Sequence, residues 1–225
     1  MKQSLILCPL AFELEAMLSR FREKSVELSE VRVGAMKTYH IPRLNAVLAL
    51  GGHGKTQFAI QTQFYIHHFG NIDSVFCVGC AGAIDQKVSI LDVVIAEKTL
   101  EHDFKLKFIS RALPAFAGDL KLLAKFSKLK FDGFQIHIGI LASGDEDVVD
   151  LVRAKEIKEQ TQALAVAWEG AGGARASKFN SISFLEVRAI TDVANSPIQS
   201  DFKKNLKLAM ANLCDVFLTS AESTS

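Results

Sequence analysis

Apolar runs of strand-like character alternate with segments of helical periodicity along the chain, and this alternation restricts the fold more than any other feature. Strand-like runs occupy residues 4–10, 45–51, 74–83, 91–100, 134–145 and 183–194. Helix-like segments, with apolar residues three and four positions apart, occupy residues 12–21, 55–69 and 200–220. The alternation predicts an α/β sandwich built around a parallel or mixed central sheet.

The length and composition favour one large domain. The chain has 225 residues, of which 49% are hydrophobic, so it can bury a sizeable core. It contains no linker-like, repetitive or low-complexity stretch. We therefore expect a single domain over residues 1–220, followed by a short frayed tail at 221–225.

The charge balance argues against nucleic acid and membrane surfaces as partners. There are 26 basic and 25 acidic residues, which leaves a formal net charge of +1. No segment has the length of a membrane span, and the N-terminus lacks the pattern of a signal peptide. Four cysteines without secretory signals predict reduced thiols and a cytoplasmic location.

Cys77 and Cys80 form a C-x-x-C pair, which raises redox or zinc chemistry as alternatives. The pair ends an apolar strand, whereas a redox pair normally opens a helix. Neither Cys8 nor Cys214 has a neighbouring ligand that would complete a zinc site. We interpret the pair as small packing residues and expect neither a metal nor an organic cofactor.

The segment GGHGKT, residues 51–56, contains the second half of a P-loop, Gly54-Lys55-Thr56. The first glycine of that motif would fall at position 49, which is alanine. The segment is therefore not expected to bind a nucleoside triphosphate. A glycine loop after a strand can still offer backbone N–H groups to another ligand.

Small or polar residues follow five predicted strands, at 51–55, 79–83, 143–147, 168–170 and 188–192. Ligands of α/β folds bind beyond the carboxyl ends of strands, so these positions are candidates for one site. Glu169 and Asp192 directly follow apolar runs, and Glu15 could point across the same crevice from the first helix. Singly, each has an ordinary structural explanation: a solvated helix residue for Glu15, a helix N-terminus for Glu169 and a turn before Pro197 for Asp192.

Six motifs in chain order resemble the nucleoside phosphorylase and nucleosidase superfamily, and match best its 5'-methylthioadenosine/S-adenosylhomocysteine nucleosidases. They are ALGGHGKTQFAIQTQFYIHHF, SVFCVGCAGAIDQKVSILDVVIAE, EHD, GILASGDEDV, AVAWEGAGGARAS and VRAITDVAN. The resemblance implies a three-layer α/β/α sandwich around a mixed central sheet. It also implies a homodimer or larger homo-oligomer that acts on a small-molecule nucleoside.

The resemblance implies roles for individual residues. Glu15 aligns with the carboxylate that activates water, and Glu13 takes that role if the register slips by two residues. Asp192 matches the acid that protonates the purine, and Arg188 matches the arginine near the attacking water. Substrate binding is expected from Gly52, Cys80, Ala81, Gly82, Asp147, Val148, Val166, Trp168 and Glu169, with Glu169 on the ribose hydroxyls.

These residue types suit cleavage of an N-glycosidic bond, which passes through an oxocarbenium-like state and needs an acid at the base and a carboxylate at the water. The sequence departs from the family pattern in four places: Ala167 replaces a glutamate, Trp168 a methionine, Asp147 the aromatic residue that covers the base, and FKLKFISRALPAF a tyrosine- and glycine-rich segment after the H-D pair. The departures fall on recognition of the base and the 5' group, whose identities the sequence leaves open.

Water is favoured over phosphate as the nucleophile. The related phosphorylases clamp phosphate with arginines, and one of these positions is Cys77 here. Carboxylates in the N-terminal loop would repel phosphate, and Lys55 is a single possible ligand for it. A phosphate-dependent phosphorylase and a nucleoside-binding protein without catalysis remain the alternatives.

Overall fold

The computed structural model describes residues 2–105, 107–193 and 198–222, without the side chains of 198 and 199. Within this part, ten strands form one mixed sheet. They are β1 (Gln3–Cys8), β2 (Ser29–Val33), β3 (Met36–Ile41), β4 (Ala46–Leu50), β5 (Ile72–Ala83), β6 (Val93–Glu101), β7 (Ala115–Ala117), β8 (Ile136–Ser143), β9 (Ala165–Ala167) and β10 (Ser183–Val193).

Six α-helices accompany the sheet in the described residues: α1 (Ala11–Glu23), α2 (Lys55–Phe69), α3 (Leu120–Phe126), α4 (Leu151–Thr161), α5 (Gly170–Phe179) and α6 (Ile198–Glu222). Asp119 and Asp150 cap α3 and α4 by accepting backbone N–H groups of the first turn. None of the described helices is long and apolar enough to cross a membrane.

The sheet combines an open half with a closed half. In the open half β1 lies parallel to both β4 and β5, and the antiparallel hairpin β2–β3 extends the edge beyond β4. In the other half β10 pairs with both β5 and β6, while β8 and β9 connect β6 back to β5. The five strands thereby close a ring, and their ends converge on one edge.

Helices cover both faces of the sheet because the side chains of each strand alternate. In β1, Ile6 and Cys8 point into a core shared with α1 and α6. Leu5 and Leu7 point to the opposite core, shared with α2 and α5. The predicted α/β/α sandwich around a mixed sheet is confirmed, and the nearly continuous apolar runs of its central strands follow from burial on both faces.

A close approach between α5 and α2 fixes the position of the glycine loop. A Cβ atom at Gly172 would clash with the carbonyl oxygen of Lys55, the first residue of α2. Only a residue without a side chain allows this contact between the two helices. The small-residue sequence of α5 therefore holds α2, and the loop before it, against the end of β9.

Residues 221 and 222, which the sequence assigned to a frayed tail, belong to α6. α6 continues to Glu222, past the expected end at residue 220, and Glu222 forms an ion pair with Arg43. This contact gives the last helical turn a tertiary partner, which the sequence pattern could not indicate. Residues 223–225 lie outside the described part of the chain, and a single domain over residues 1–220 stays a prediction.

Candidate active site

A cavity of about 340 Å³ opens where β5, β8, β9 and β10 end. Its size is that of a small-molecule site. α1 and α6 complete its wall with residues near their N-terminal ends. Ten of the twelve site residues expected from the sequence line it: Arg188, Asp192, Cys80, Ala81, Gly82, Asp147, Val148, Val166, Trp168 and Glu169. Glu15 and Gly52 do not.

Glu13 occupies the position that was expected for Glu15. Its side chain is buried in the cavity wall, where Oε1 accepts a hydrogen bond from Cys80 N at 2.7 Å and Oε2 accepts one from Leu10 N at 2.9 Å. Burial raises the pKa of Glu13 to about 7, although the Arg188 guanidinium and the two N–H groups favour the ionised form. This carboxyl group can therefore exchange a proton near neutral pH.

The expectation that Glu15 reaches the crevice is wrong. Glu15 is exposed on α1 and lies outside the cavity wall. Two residues apart on a helix correspond to a rotation of about 200°, so Glu13 and Glu15 point to nearly opposite sides. Of the two glutamates that the sequence left open, Glu13 is the one that lines the cavity.

Arg188 lies at the centre of the buried polar groups, with only 1% of its side chain exposed. Its Nε donates to Glu186 Oε1 at 2.9 Å and its Nη2 donates to Glu169 Oε2 at 3.0 Å. The same guanidinium lies 3.1 Å from the Cys77 sulfur and donates to the Cys80 carbonyl oxygen. These partners satisfy a buried cation and fix the ends of β5, β9 and β10 relative to one another.

Glu169 is held as an ionised carboxylate. Burial opposes its ionisation, but the hydrogen bond with His53, the Arg188 guanidinium and the N–H of Gly54 together hold its pKa below the usual value. Gly54 N and His53 Nδ1 each lie 3.2 Å from Oε1. Glu169 thus presents a fixed, charged acceptor to the cavity.

The glycine loop supplies two of these contacts. Gly52 and Gly54 have φ angles of +87° and +81°, which only glycine adopts without strain, and they turn the loop on both sides of His53. Gly52 is buried within the loop and does not line the cavity, which corrects its expected contact with substrate. Its contribution is to the shape of the loop.

Lys55 is engaged elsewhere. Its ammonium group lies 2.9 Å from Glu101 Oε1 and also pairs with Asp103, both from the EHD motif. Its backbone N–H donates to Asp145 Oδ1 at 2.8 Å. A lysine neutralised by two carboxylates is poorly placed to bind phosphate. Lys55, the lysine of the P-loop-like segment, instead connects the glycine loop to the end of β6 through these ion pairs.

Asp192 is a second carboxyl group whose proton affinity is raised. Burial raises its pKa to about 6, against the opposing effect of the hydrogen bond that it accepts from Thr191 Oγ1 at 2.7 Å. The pairing of β10 with β5 shifts register between Ile190 and Asp192, an irregularity that re-aims side chains at strand ends. Gly82 opposite leaves room for the carboxyl group, because a Cβ there would lie 2.8 Å from Asp192 Oδ1.

Some cavity residues were not indicated by the sequence patterns. They are Leu10, Phe12, Phe202 and Lys203, whereas His53 and Thr191 lie within the candidate strand ends 51–55 and 188–192 but were not named individually. The rings of Phe12 and Phe202 meet edge to face, with centroids 5.7 Å apart, where α1 lies beside α6. Residues on helices do not follow a predicted strand, so the search for polar strand ends did not find them. His53 stands at the variable position of the glycine loop, where the family motif specifies no residue type.

The four cysteines are buried thiols without disulfide bonds. In the described ranges, no group of three or more His, Cys, Asp or Glu side chains is arranged to hold a metal ion. The C-x-x-C pair instead lies along β5, where Cys77 contacts Arg188 and the backbone N–H of Cys80 binds Glu13. Both residues thus contribute to the polar network of the cavity.

Comparison with known proteins agrees with this geometry. Residues 4–222 match the family model of the phosphorylase superfamily. The chain belongs to the phosphorylase superfamily. It is 31% identical over 205 residues to a 5'-methylthioadenosine/S-adenosylhomocysteine nucleosidase of Thermotoga maritima, a match that covers 89% of each protein.

Solved structures extend the comparison. The nucleosidase of Neisseria meningitidis, in complex with methylthio-immucillin-A, has a TM-score of 0.87 and 27% identity, and the match covers 99% of this chain and 100% of that one. The futalosine hydrolase of Helicobacter pylori has a TM-score of 0.84 at 22% identity, with 100% and 98% of the two chains covered, and shows the same fold.

The raised pKa of Glu13 predicts that the difference in stability between the wild-type protein and Glu13→Gln depends on pH. In the wild-type protein, Glu13 lowers stability as the pH rises from its usual pKa of 4.5 to its folded-state value of about 7, because the folded state holds the proton more tightly. Glutamine cannot ionise. The stability of Glu13→Gln relative to wild type should therefore increase by about 2 kcal/mol between roughly pH 5 and pH 8.

Urea unfolding of both proteins at several pH values measures this difference. Glu15→Gln, on the exposed side of α1, serves as the control and should show a nearly constant difference from wild type. A pH-independent difference for Glu13→Gln would mean that Glu13 has an ordinary pKa in the folded protein.

Proposed function

We propose that this phosphorylase-superfamily protein is a nucleosidase that hydrolyses the N-glycosidic bond of adenosine-type nucleosides with a 5' substituent, in the class of 5'-methylthioadenosine and S-adenosylhomocysteine. The products are the free base and the ribose derivative. The observation that carries this proposal is the presence, in one cavity, of two carboxyl groups with raised pKa values beside an ionised carboxylate. These groups are Glu13, Asp192 and Glu169.

Asp192 is assigned to the leaving base. As the bond between C1' and the base nitrogen breaks, its electron pair moves into the purine, and the proton of Asp192 transfers to the ring. A carboxyl group with a pKa of about 6 retains a useful protonated fraction near neutral pH and still releases the proton readily. A fully solvated aspartate would be ionised and could not serve as this acid.

Glu13 is assigned to the water. Water attacks C1' as the oxocarbenium-like centre develops, and Glu13 accepts its proton, so the ribose product carries the new hydroxyl group. The backbone N–H groups of Cys80 and Leu10 orient the carboxylate. Arg188 makes no free approach to a nucleophile, because it is tied to Glu186 and Glu169, and we assign it the positioning of these groups.

Glu169 is assigned to the ribose hydroxyls. An ionised carboxylate is an acceptor for two neighbouring hydroxyl groups, and a lowered pKa keeps it ionised. Its position between the glycine loop and Arg188 supports a role in holding the sugar. Ala81, Gly82, Val148 and Val166 supply an apolar surface for the base and sugar.

Hydrolysis is favoured over phosphorolysis by the charges at the cavity. Lys55 is neutralised by Glu101 and Asp103, and Arg188 is neutralised by its own carboxylate partners. An incoming phosphate would also meet Glu13. Loss of catalysis is disfavoured because both carboxyl groups with raised pKa values are present.

We further propose a homo-oligomer, in keeping with exposed apolar side chains such as Ile60 and Phe64 on α2, and Val149, Leu151 and Val152 near the cavity. We also propose a cytoplasmic location. It is supported by the unpaired state of all four cysteines, which a reducing compartment maintains.

The function is tested by incubating the protein with 5'-methylthioadenosine, S-adenosylhomocysteine, adenosine and inosine, with and without phosphate, and identifying the products by mass. We expect adenine and a free ribose derivative at rates that do not depend on phosphate. Formation of a ribose 1-phosphate would establish the phosphorylase instead. Binding without turnover would establish a nucleoside-binding protein.

The assignment of the base predicts a contrast between two neighbouring glutamates. Glu13→Gln keeps the shape of the side chain but cannot accept the proton of water, so turnover should fall by roughly 10²–10⁴-fold. Glu15→Gln should have nearly wild-type activity because its side chain points into solvent. Steady-state kinetics on the best nucleoside measure both, and inactivation by the Glu15 substitution alone would reverse the assignment.

The assignment of the acid predicts a dependence on the leaving group. Asp192→Asn retains hydrogen bonding but cannot transfer a proton. It should lose activity on adenine nucleosides and lose much less on a ribosyl substrate whose activated leaving group departs without protonation. Comparison of kcat/KM on the two substrates measures this, and equal losses would indicate a binding role for Asp192.

A further inference from the structure

His53 links the glycine loop to the carboxylate that we assign to ribose. Its Nδ1 lies 3.2 Å from Glu169 Oε1, and its ring stacks on Trp168, with centroids 4.2 Å apart and an interplanar angle of 28°. The side chain is about half exposed, at 48%, whereas that of Glu169 is 4% exposed. His53 therefore lies between the buried carboxylate and solvent, in the wall of the cavity.

The three groups that hold Glu169 are fixed in different ways. Arg188 is fixed by burial and by Glu186, and Gly54 offers a backbone N–H. His53 is a half-exposed side chain on a loop, and its own support is the stacked Trp168. The stacking contact therefore explains one departure from the family pattern, Trp168, and gives the residue at the variable loop position a partner.

We propose that His53 is a positioning residue for ribose recognition: it donates its Nδ1–H to Glu169 and, held by Trp168, fixes the orientation in which that carboxylate accepts the ribose hydroxyls. This inference rests on the proposed role of Glu169. The flanking glycines make the contact possible, because their positive φ angles bring the His53 ring and the Gly54 N–H to the same oxygen.

The chemistry of the contact supports this assignment. Both the neutral ring protonated at Nδ1 and the imidazolium can donate to Glu169, so the bond persists on either side of the titration of His53. Glu169 itself raises the pKa of His53, as expected for a donor beside a carboxylate. Without this donor, Glu169 would be held only by the N–H of Gly54 at Oε1 and by Arg188 at Oε2, and the orientation of its carboxylate would be less restricted.

Two substitutions of His53 test its hydrogen-bond donor and its aromatic ring separately. Asparagine places an amide N–H close to the position of Nδ1 but removes the aromatic face. Phenylalanine keeps a ring that can stack on Trp168 but has no donor. The inference predicts that His53→Asn retains ribose recognition and that His53→Phe loses it, although Phe is the better match in size and stacking.

The readout is discrimination between ribosyl and deoxyribosyl ligands. Affinities for adenosine, 2'-deoxyadenosine and 3'-deoxyadenosine are measured by calorimetry in an Asp192→Asn background, which should not hydrolyse adenine nucleosides, and KM and kcat are measured separately with Asp192 intact. We expect His53→Phe to weaken the binding of adenosine by roughly 10- to 100-fold, as for a lost hydrogen bond to a charged group, and the binding of at least one deoxynucleoside much less. His53→Asn should stay within a few-fold of wild type, as a rescue.

Equal losses of affinity for adenosine and both deoxynucleosides, or equal behaviour of the Asn and Phe variants, would overturn the inference. Thermal unfolding of both variants confirms that they are folded. Because affinity is measured without turnover, the two proposals fail separately. A wild-type protein that binds nucleosides but hydrolyses none overturns the proposed function, and the change in ribose discrimination then decides the role of His53 alone.

Discussion

The site depends on the hydrogen bonds and ion pairs of the buried Arg188 guanidinium. A cation with 1% of its side chain exposed is tolerated only when its partners replace the lost water, and Glu186, Glu169 and the Cys80 carbonyl oxygen do so. These partners come from β10, the end of β9 and β5. One charge thus fixes the relative positions of three strand ends, and the cavity takes its shape from them.

The positive charge of Arg188 also makes the pKa values of the carboxyl groups around the cavity differ from one another. Glu169 accepts a hydrogen bond from Arg188 and stays ionised. Glu13 is only electrostatically favoured in its ionised form by the guanidinium, and burial raises its pKa to about 7. Asp192 lies outside these contacts, and burial raises its pKa to about 6. Carboxyl groups of one chemical type thereby acquire different capacities to hold a proton, which acid–base chemistry on a nucleoside requires.

Much of the fold could be predicted because β1, β4, β5 and β10 are buried on both faces and read as apolar runs. The hairpin of β2 and β3 was missed because its first strand is largely exposed and carries mixed charge. Helix α4 was missed because it is largely polar, and its aspartate cap, not an apolar stripe, marks its start.

The sequence by itself determined the order of the main strands and helices, the strand ends that line the cavity, and the glycines that the loop requires, because these follow from local burial periodicity and backbone conformation. Only the tertiary structure showed that Glu13 and not Glu15 faces the cavity, because this depends on how α1 is rotated against the sheet. It alone paired His53 with Glu169 and Lys55 with Glu101, contacts between residues 116 and 46 positions apart. Proton affinities likewise depend on burial and on charges brought together by folding, which no local pattern of residues contains.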